Sequence, residues 1–166
     1  YFTDPENIYG VDAWQGSLDL CHADRVLGNF VLSDPAPETL AVPDGSISIA
    51  YSFSVFAHLS KKTANAALSA IRRTMRDDGL LALTIRPVEF WAYRDQNEKT
   101  DQAGALIAQH RDRGFAFLPD LGPKGEYYGD TSIHLDFFKN LPGWRFVGYD
   151  WSLVDWYQST VMLEPA

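Results

Sequence analysis

A chain of 166 residues with 46% hydrophobic and 14% aromatic content holds enough apolar mass for one domain with a substantial core, which excludes a disordered segment. A net charge of -8, with Lys and Arg scattered apart from the doublets Lys61-Lys62 and Arg72-Arg73, excludes tight non-specific binding to a phosphate backbone, so no nucleic-acid partner is expected. The single cysteine, Cys21, offers neither an intrachain disulfide nor a cysteine-pair metal site, and no apolar run approaches the ~20 residues that span a membrane; no metal, no membrane contact and a reducing cytoplasm are the expectations.

In chain order, Ile8 to Asp12 is an apolar, β-prone run that ends on a carboxylate. Gln15 to Val26 reads as a helix and Asn29 to Ser33 as a second strand, which Asp34-Pro35-Ala36-Pro37 ends abruptly. Pro43-Asp44-Gly45 makes a turn before a third strand over Ser46 to Ser52. Ala64, Ala67, Leu68, Ile71 and Met75 recur at spacings of three and four, so Lys61 to Met75 is an amphipathic helix with Ser60 as its cap. Asp77-Asp78-Gly79 stops that helix, and Leu80 to Ile85 follows as a strand buried on both faces. Thr100 to Arg113 is another helix, Phe115 to Tyr128 a loop-rich lid or substrate insertion, and Asp130-Thr131 the cap of a short helix through Asn140. Trp144 to Tyr149 and Ser159 to Leu163 are strands with no room between them for a crossover helix, so they pair antiparallel. Alternating strands and helices define an α/β layered domain.

Asp12 carries the strongest functional signal. In doubly wound nucleotide-binding folds an acid at the tip of the second strand holds a ribose, about 20 residues after the glycine-rich loop that follows the first strand. Counting back from Asp12 runs past Tyr1, so the front strand and its glycine loop are expected to be missing from this chain.

Four segments carry a family likeness. They are Tyr9-Gly10-Val11-Asp12; Leu32-Ser33-Asp34; Val42-Pro43-Asp44-Gly45-Ser46-Ile47 running on through Tyr51 to His58-Leu59; and Arg72 to Leu81 at a helix-to-strand turn. In this order they resemble class I S-adenosylmethionine-dependent methyltransferases over essentially the whole chain. Two departures stand out: Ser48 where that family commonly has Asp, and Asp78 where the first Gly of its Gly-Gly turn falls. The resemblance implies a Rossmann-like, mostly parallel doubly wound sheet with a C-terminal antiparallel hairpin, in one domain over residues 1–166 with an insertion at about 87–143. It implies S-adenosylmethionine as cofactor and methyl transfer to a small-molecule or saccharide-like acceptor, with a homodimer as an open expectation.

By the resemblance, Asp12, Ala13 and Trp14 meet the ribose and adenine, Asp34 and Pro35 the adenine ring, and Ser52, Phe53 and Ser54 the methionine end. The alternatives for these residues are structural: Asp12 as a cap, Trp14 as core, Asp34 as a turn former. His58 is the candidate general base, with bracing of its loop as its other role. Tyr127, Tyr128, Asp130 and His134 are candidate substrate contacts in the insertion, with a solvated helix start as their alternative role. Two other functions stay open: a non-catalytic domain of this fold that binds a partner through Trp144, Trp151, Trp156 and Tyr157, and a nicotinamide-dependent oxidoreductase, for which the terminal hairpin is not expected.

Overall fold

The computed structural model describes residues 3–152 and 155–166. After a single 3-10 turn at Pro5–Asn7, strand β1 (Tyr9–Asp12) leads into helix α1 (Gln15–Ala23) and strand β2 (Asn29–Leu32), which lies parallel to β1 with Asp12 opposite Leu32. Strand β3 (Ile47–Ser52), helix α2 (Lys61–Thr74) and strand β4 (Met75–Ile85) form a second parallel unit. The strong apolar stripe of α2 explains its helicity, and the Ser60 side chain accepts from the Thr63 amide as its cap. The helix ends at Thr74, before Asp77-Asp78-Gly79: Met75 already pairs with Ile47, Leu80 pairs with Ile49, and Arg76–Gly79 bulge from the ladder between them.

The C-terminal strands β7 (Trp144–Trp151) and β8 (Ser159–Pro165) pair antiparallel, and β8 also pairs antiparallel with β4, giving the order β3-β4-β8-β7. The hairpin expected from the short link is therefore present, with β8 inserted beside its partner. The architecture is α/β with mixed sheets. β1 and β2 form their own two-stranded sheet, because among the described residues no strand bridges β1 and β3.

The 87–143 segment is more ordered than its composition suggests. Helices α3 (Phe90–Glu98) and α4 (Ala103–Arg113) precede strand β5 (Phe115–Pro119), which pairs antiparallel with β6 (Gly129–Ile133). Two expectations are corrected here. The stretch from Phe115 begins as a strand, since Phe115 and Ala116 are buried, and Asp130-Thr131 belongs to a strand while the short helix α5 (Leu135–Lys139) is capped by His134. Gly129 serves this pairing: a Cβ there would meet the Leu118 carbonyl oxygen at 2.1 Å.

Period-two burial in β4 turns Leu81, Leu83 and Ile85 onto one core with Ala64 and Leu68 of α2, Val161 and Leu163 of β8, and Trp144 of β7. Each fully buried leucine there contributes about 1.5–3 kcal/mol relative to exposure. A second cluster of Phe90, Trp91, Leu106 and Ala116 packs α3, α4 and β5 together. Trp91, wholly buried, donates its indole N–H to Ser132 Oγ at 2.7 Å, and that hydroxyl lies 2.8 Å from Nδ1 of the buried His110.

Candidate functional site

Parallel β-strands direct their carboxyl ends to one rim, and in open α/β sheets that rim is where ligands bind. The chain places Asp12, Asp34, Ser52–Ser54 and Arg86 at or just beyond the ends of β1 to β4.

At the end of β1, Asp12 Oδ1 accepts the Trp14 amide at 2.8 Å, which turns the chain into α1. Its second oxygen has no hydrogen-bond partner among the described residues, so the carboxylate can cap the turn and accept a further donor. The Trp14 indole is 59% exposed and lies against the first turn of α1, where a Cβ on Gly16 would come within 2.7 Å of the ring; glycine leaves room for it. Ala13, Asp34 and Pro35 are exposed beside these strand ends.

Beyond β3, Phe53 is exposed and stacks on Tyr51. Ser54 takes a left-handed backbone at φ 57, with its amide bonded to Thr84 Oγ1 at 2.8 Å. From here the chain runs beside β6. Gly129 donates to the His58 carbonyl, Thr131 to that of Ala57 and Ser60 to that of Tyr127, at 2.9, 2.9 and 3.0 Å. These bonds tie β6 and the residues before it to the loop beyond β3.

His58 sits in that seam. A carbonyl only accepts, so its Nδ1–H donates to Gly129 O at 2.9 Å, and the unprotonated Nε2 faces an Arg86 N–H at 3.2 Å. Burial first, then the Arg86 charge, lowers the His58 pKa. Both ring nitrogens are engaged, and the ring stacks on Tyr128 with centroids 4.9 Å apart.

Around it Asp130 is met by two arginines that the sequence pattern did not place in the site. Arg86 bonds to Asp130 Oδ1 and to the Ala57 carbonyl, and lies 4.1 Å over the Phe90 ring. Arg94 reaches the other Asp130 oxygen at 2.8 Å and Glu98 at 2.7 Å. The signal for Arg86 was present: a cation directly after an apolar parallel strand falls on the binding rim. Arg94 carried no such signal, because only the fold of α3 brings it to Asp130.

Tyr128 completes the cluster, 42% exposed beside His58. Its phenol pKa is raised, chiefly by burial and then by carboxylates that include Asp120, Asp130 and Asp12. Asp12 and Tyr128 therefore lie within electrostatic reach of each other across the rim. Tyr127 contributes its carbonyl to the docking seam. His134 is elsewhere: its Nδ1 accepts from the Asp136 amide as the cap of α5, and it lines an open groove of about 770 Å³ with Lys61, His110 and Asn140. His58 and Tyr128 are thus in direct contact, Ser54 lies four residues earlier on the same loop beyond β3, and His134 lies apart.

With this geometry established, comparison with known proteins identifies the class. The profile of the family described as "Methyltransferase domain" matches residues 1–83, half of the chain, and the chain belongs to that family. Its fold is similar to that of an S-adenosylmethionine-dependent methyltransferase from Methanosarcina mazei, with TM-score 0.61, 10% identity, and 95% of this chain and 81% of that one covered. It is similar also to a protein from Pyrococcus horikoshii, with TM-score 0.62, 10% identity, and coverage of 96% and 71%. A third similar structure is the 1,6-didemethyltoxoflavin-N1-methyltransferase of Burkholderia thailandensis, solved with 1,6-didemethyltoxoflavin and S-adenosylhomocysteine bound; here the TM-score is 0.59, identity 9%, and coverage 96% and 61%. No curated protein matches the chain in sequence. No helix among the described residues is long and apolar enough to cross a membrane.

Proposed function

We propose that the whole chain works as one methyltransferase domain, with the insertion at about 87–143 as its lid, and that it transfers the methyl group of S-adenosylmethionine to a small-molecule acceptor. One observation carries this reading: Asp12 closes a parallel strand, at the end where ligands of α/β sheets bind, with one carboxylate oxygen left to accept a donor. The residues fit the cofactor. Asp12 would hold a ribose hydroxyl, Trp14 would offer its exposed indole face to the adenine beside Asp34 and Pro35, and the Ser52–Ser54 backbone would meet the methionine end.

The cofactor supplies a sulfonium methyl that is already activated, so what remains for the protein is proximity and in-line alignment. The Arg86–Asp130–Arg94 network ties β6 to the end of β4 and to α3, two residues beyond Tyr128. Tyr128, with its pKa raised, stays protonated at neutral pH and can donate a hydrogen bond to the acceptor. His58, neutral and bonded at both nitrogens, acts as the brace of this loop rather than as the base.

Calorimetric titration of S-adenosylmethionine tests the reading. Wild type should bind, and Asp12→Ala should bind ten- to hundredfold more weakly, since a hydrogen bond to a charged group is worth about 1.5–3 kcal/mol. Asp12→Asn, which keeps an acceptor for the Trp14 amide, separates loss of the turn from loss of the ligand contact. Absence of binding by the wild type would overturn the proposal.

A further inference from the structure

A second buried polar group lies on the same rim and has no part in the network described above. Gln158 immediately precedes β8, whose first residue, Ser159, lies opposite Ile85 at the end of β4. Its side chain therefore crosses the carboxyl end of β4. It reaches the loop beyond β3, where Nε2–H donates to Ser54 Oγ at 3.0 Å, a contact between residues 104 positions apart.

The far side of this carboxamide is unpaired. Gln158 is 7% exposed and Ser159 4%, yet Gln158 Oε1 and Ser159 Oγ are buried with no hydrogen-bond partner among the described residues. Buried polar atoms are nearly always paired, and an apolar side chain of the same length would fill this place without leaving an orphan acceptor. The anchor is itself unusual: Ser54 holds a left-handed backbone without being glycine, a conformation that persists where its surroundings over-determine it and that concentrates at ligand sites. Thr84 of β4 fixes the Ser54 amide, and Gln158, just ahead of β8, binds its hydroxyl, so two distant segments hold one loop residue. Alongside, Tyr157 stacks on Tyr93 at 4.4 Å and packs against Phe90 at 6.2 Å, an aromatic wall next to the polar pair.

We propose that Gln158 is a ligand-binding residue of the methyl-transfer site, its carboxamide anchored on Ser54 and its carbonyl oxygen accepting a hydrogen bond from an N–H or O–H of a bound small molecule. This rests on the methyltransferase reading. Two sources offer that donor: the ammonium group at the amino-acid end of the cofactor, or an amino or hydroxyl group of the methyl acceptor.

Gln158→Met removes the acceptor at similar volume, and Gln158→Glu keeps an acceptor at the same place. Both are titrated by calorimetry with S-adenosylhomocysteine and with methylthioadenosine, which lacks the amino-acid end, while thermal midpoints report folding. If the donor is the ammonium, Gln158→Met weakens S-adenosylhomocysteine ten- to hundredfold, leaves methylthioadenosine unchanged, and Gln158→Glu retains binding within about threefold. If the donor is on the acceptor, both nucleosides bind as in wild type. In that case KM for whichever amines and phenols of a test panel the wild type methylates rises about threefold or more in Gln158→Met, with kcat held.

Equal losses in the Met and Glu variants, or a changed midpoint with no altered response to any ligand, would make Gln158 a brace between β8 and the β3 loop and overturn the proposal. Should Gln158→Met fail to fold, Ser54→Ala, which frees the carboxamide without removing it, must weaken the same ligand for the proposal to stand. A wild-type protein that binds neither nucleoside sinks the methyltransferase reading, and this inference with it.

Discussion

Asp130→Asn removes the carboxylate on which Arg86 and Arg94 converge while leaving the shape of the side chain almost unchanged. The two arginine side chains are only 13% and 14% exposed, so the substitution strands two mostly buried cations. Removing one partner of a fully buried pair costs about 3–5 kcal/mol. Asp130 keeps 22% exposure and Arg94 keeps Glu98, so solvent and the remaining partner reduce the expected loss to roughly 2–3 kcal/mol. In a domain of this length that corresponds to a fall in Tm of roughly 4–12 °C. Urea unfolding at pH 7.5, with the m-value compared between variants, measures it directly. The loss should also be local: amide exchange at Gly129 and Thr131, which bond to the His58 and Ala57 carbonyls, should quicken before that of β4. A stability change under about 0.5 kcal/mol would show that the network is solvated ion pairing and does not hold β6 in place.

His58→Gln should retain most of the methyl-transfer rate, because a brace can be replaced by another hydrogen-bonding side chain; a rate loss of about 10²-fold or more with cofactor affinity intact would restore His58 as the base. Stability should fall as pH drops below about 6.5. Burial keeps the His58 and His110 pKa values below the ordinary 6.5, so in that range the unfolded chain binds more protons than the folded one, with a slope of up to about 1.4 kcal/mol per pH unit for each histidine. Urea melts at pH 7.5 and 5.5 should show a smaller pH dependence in His58→Gln and His110→Gln than in wild type, and unchanged slopes would refute the assignment. Ser60→Ala should cost about 1 kcal/mol by removing the cap of α2, read from the shift in urea midpoint at constant m.

Where local chemistry and burial share one period, the sequence was sufficient. The stripe from Ala64 to Ile71 and the Ser60 cap defined α2, the apolar run Leu80–Ile85 defined the core of β4, and the short link ahead of Ser159 required β7 and β8 to be antiparallel. Asp12 could be read as a strand-tip acid because its meaning depends on the four residues before it. Tertiary structure alone decided the rest. Phe115–Pro119 became a strand because β6 supplied its ladder, and Asp130 gained two arginines because β4 and α3 deliver them from 44 and 36 positions away. The Gln158 carboxamide meets Ser54 across 104 residues. Hydrophobic period records which face of an element is buried, a property carried by neighbours along the chain. The partner of a single polar group depends on which distant strand ends at the same rim, and no local pattern encodes it.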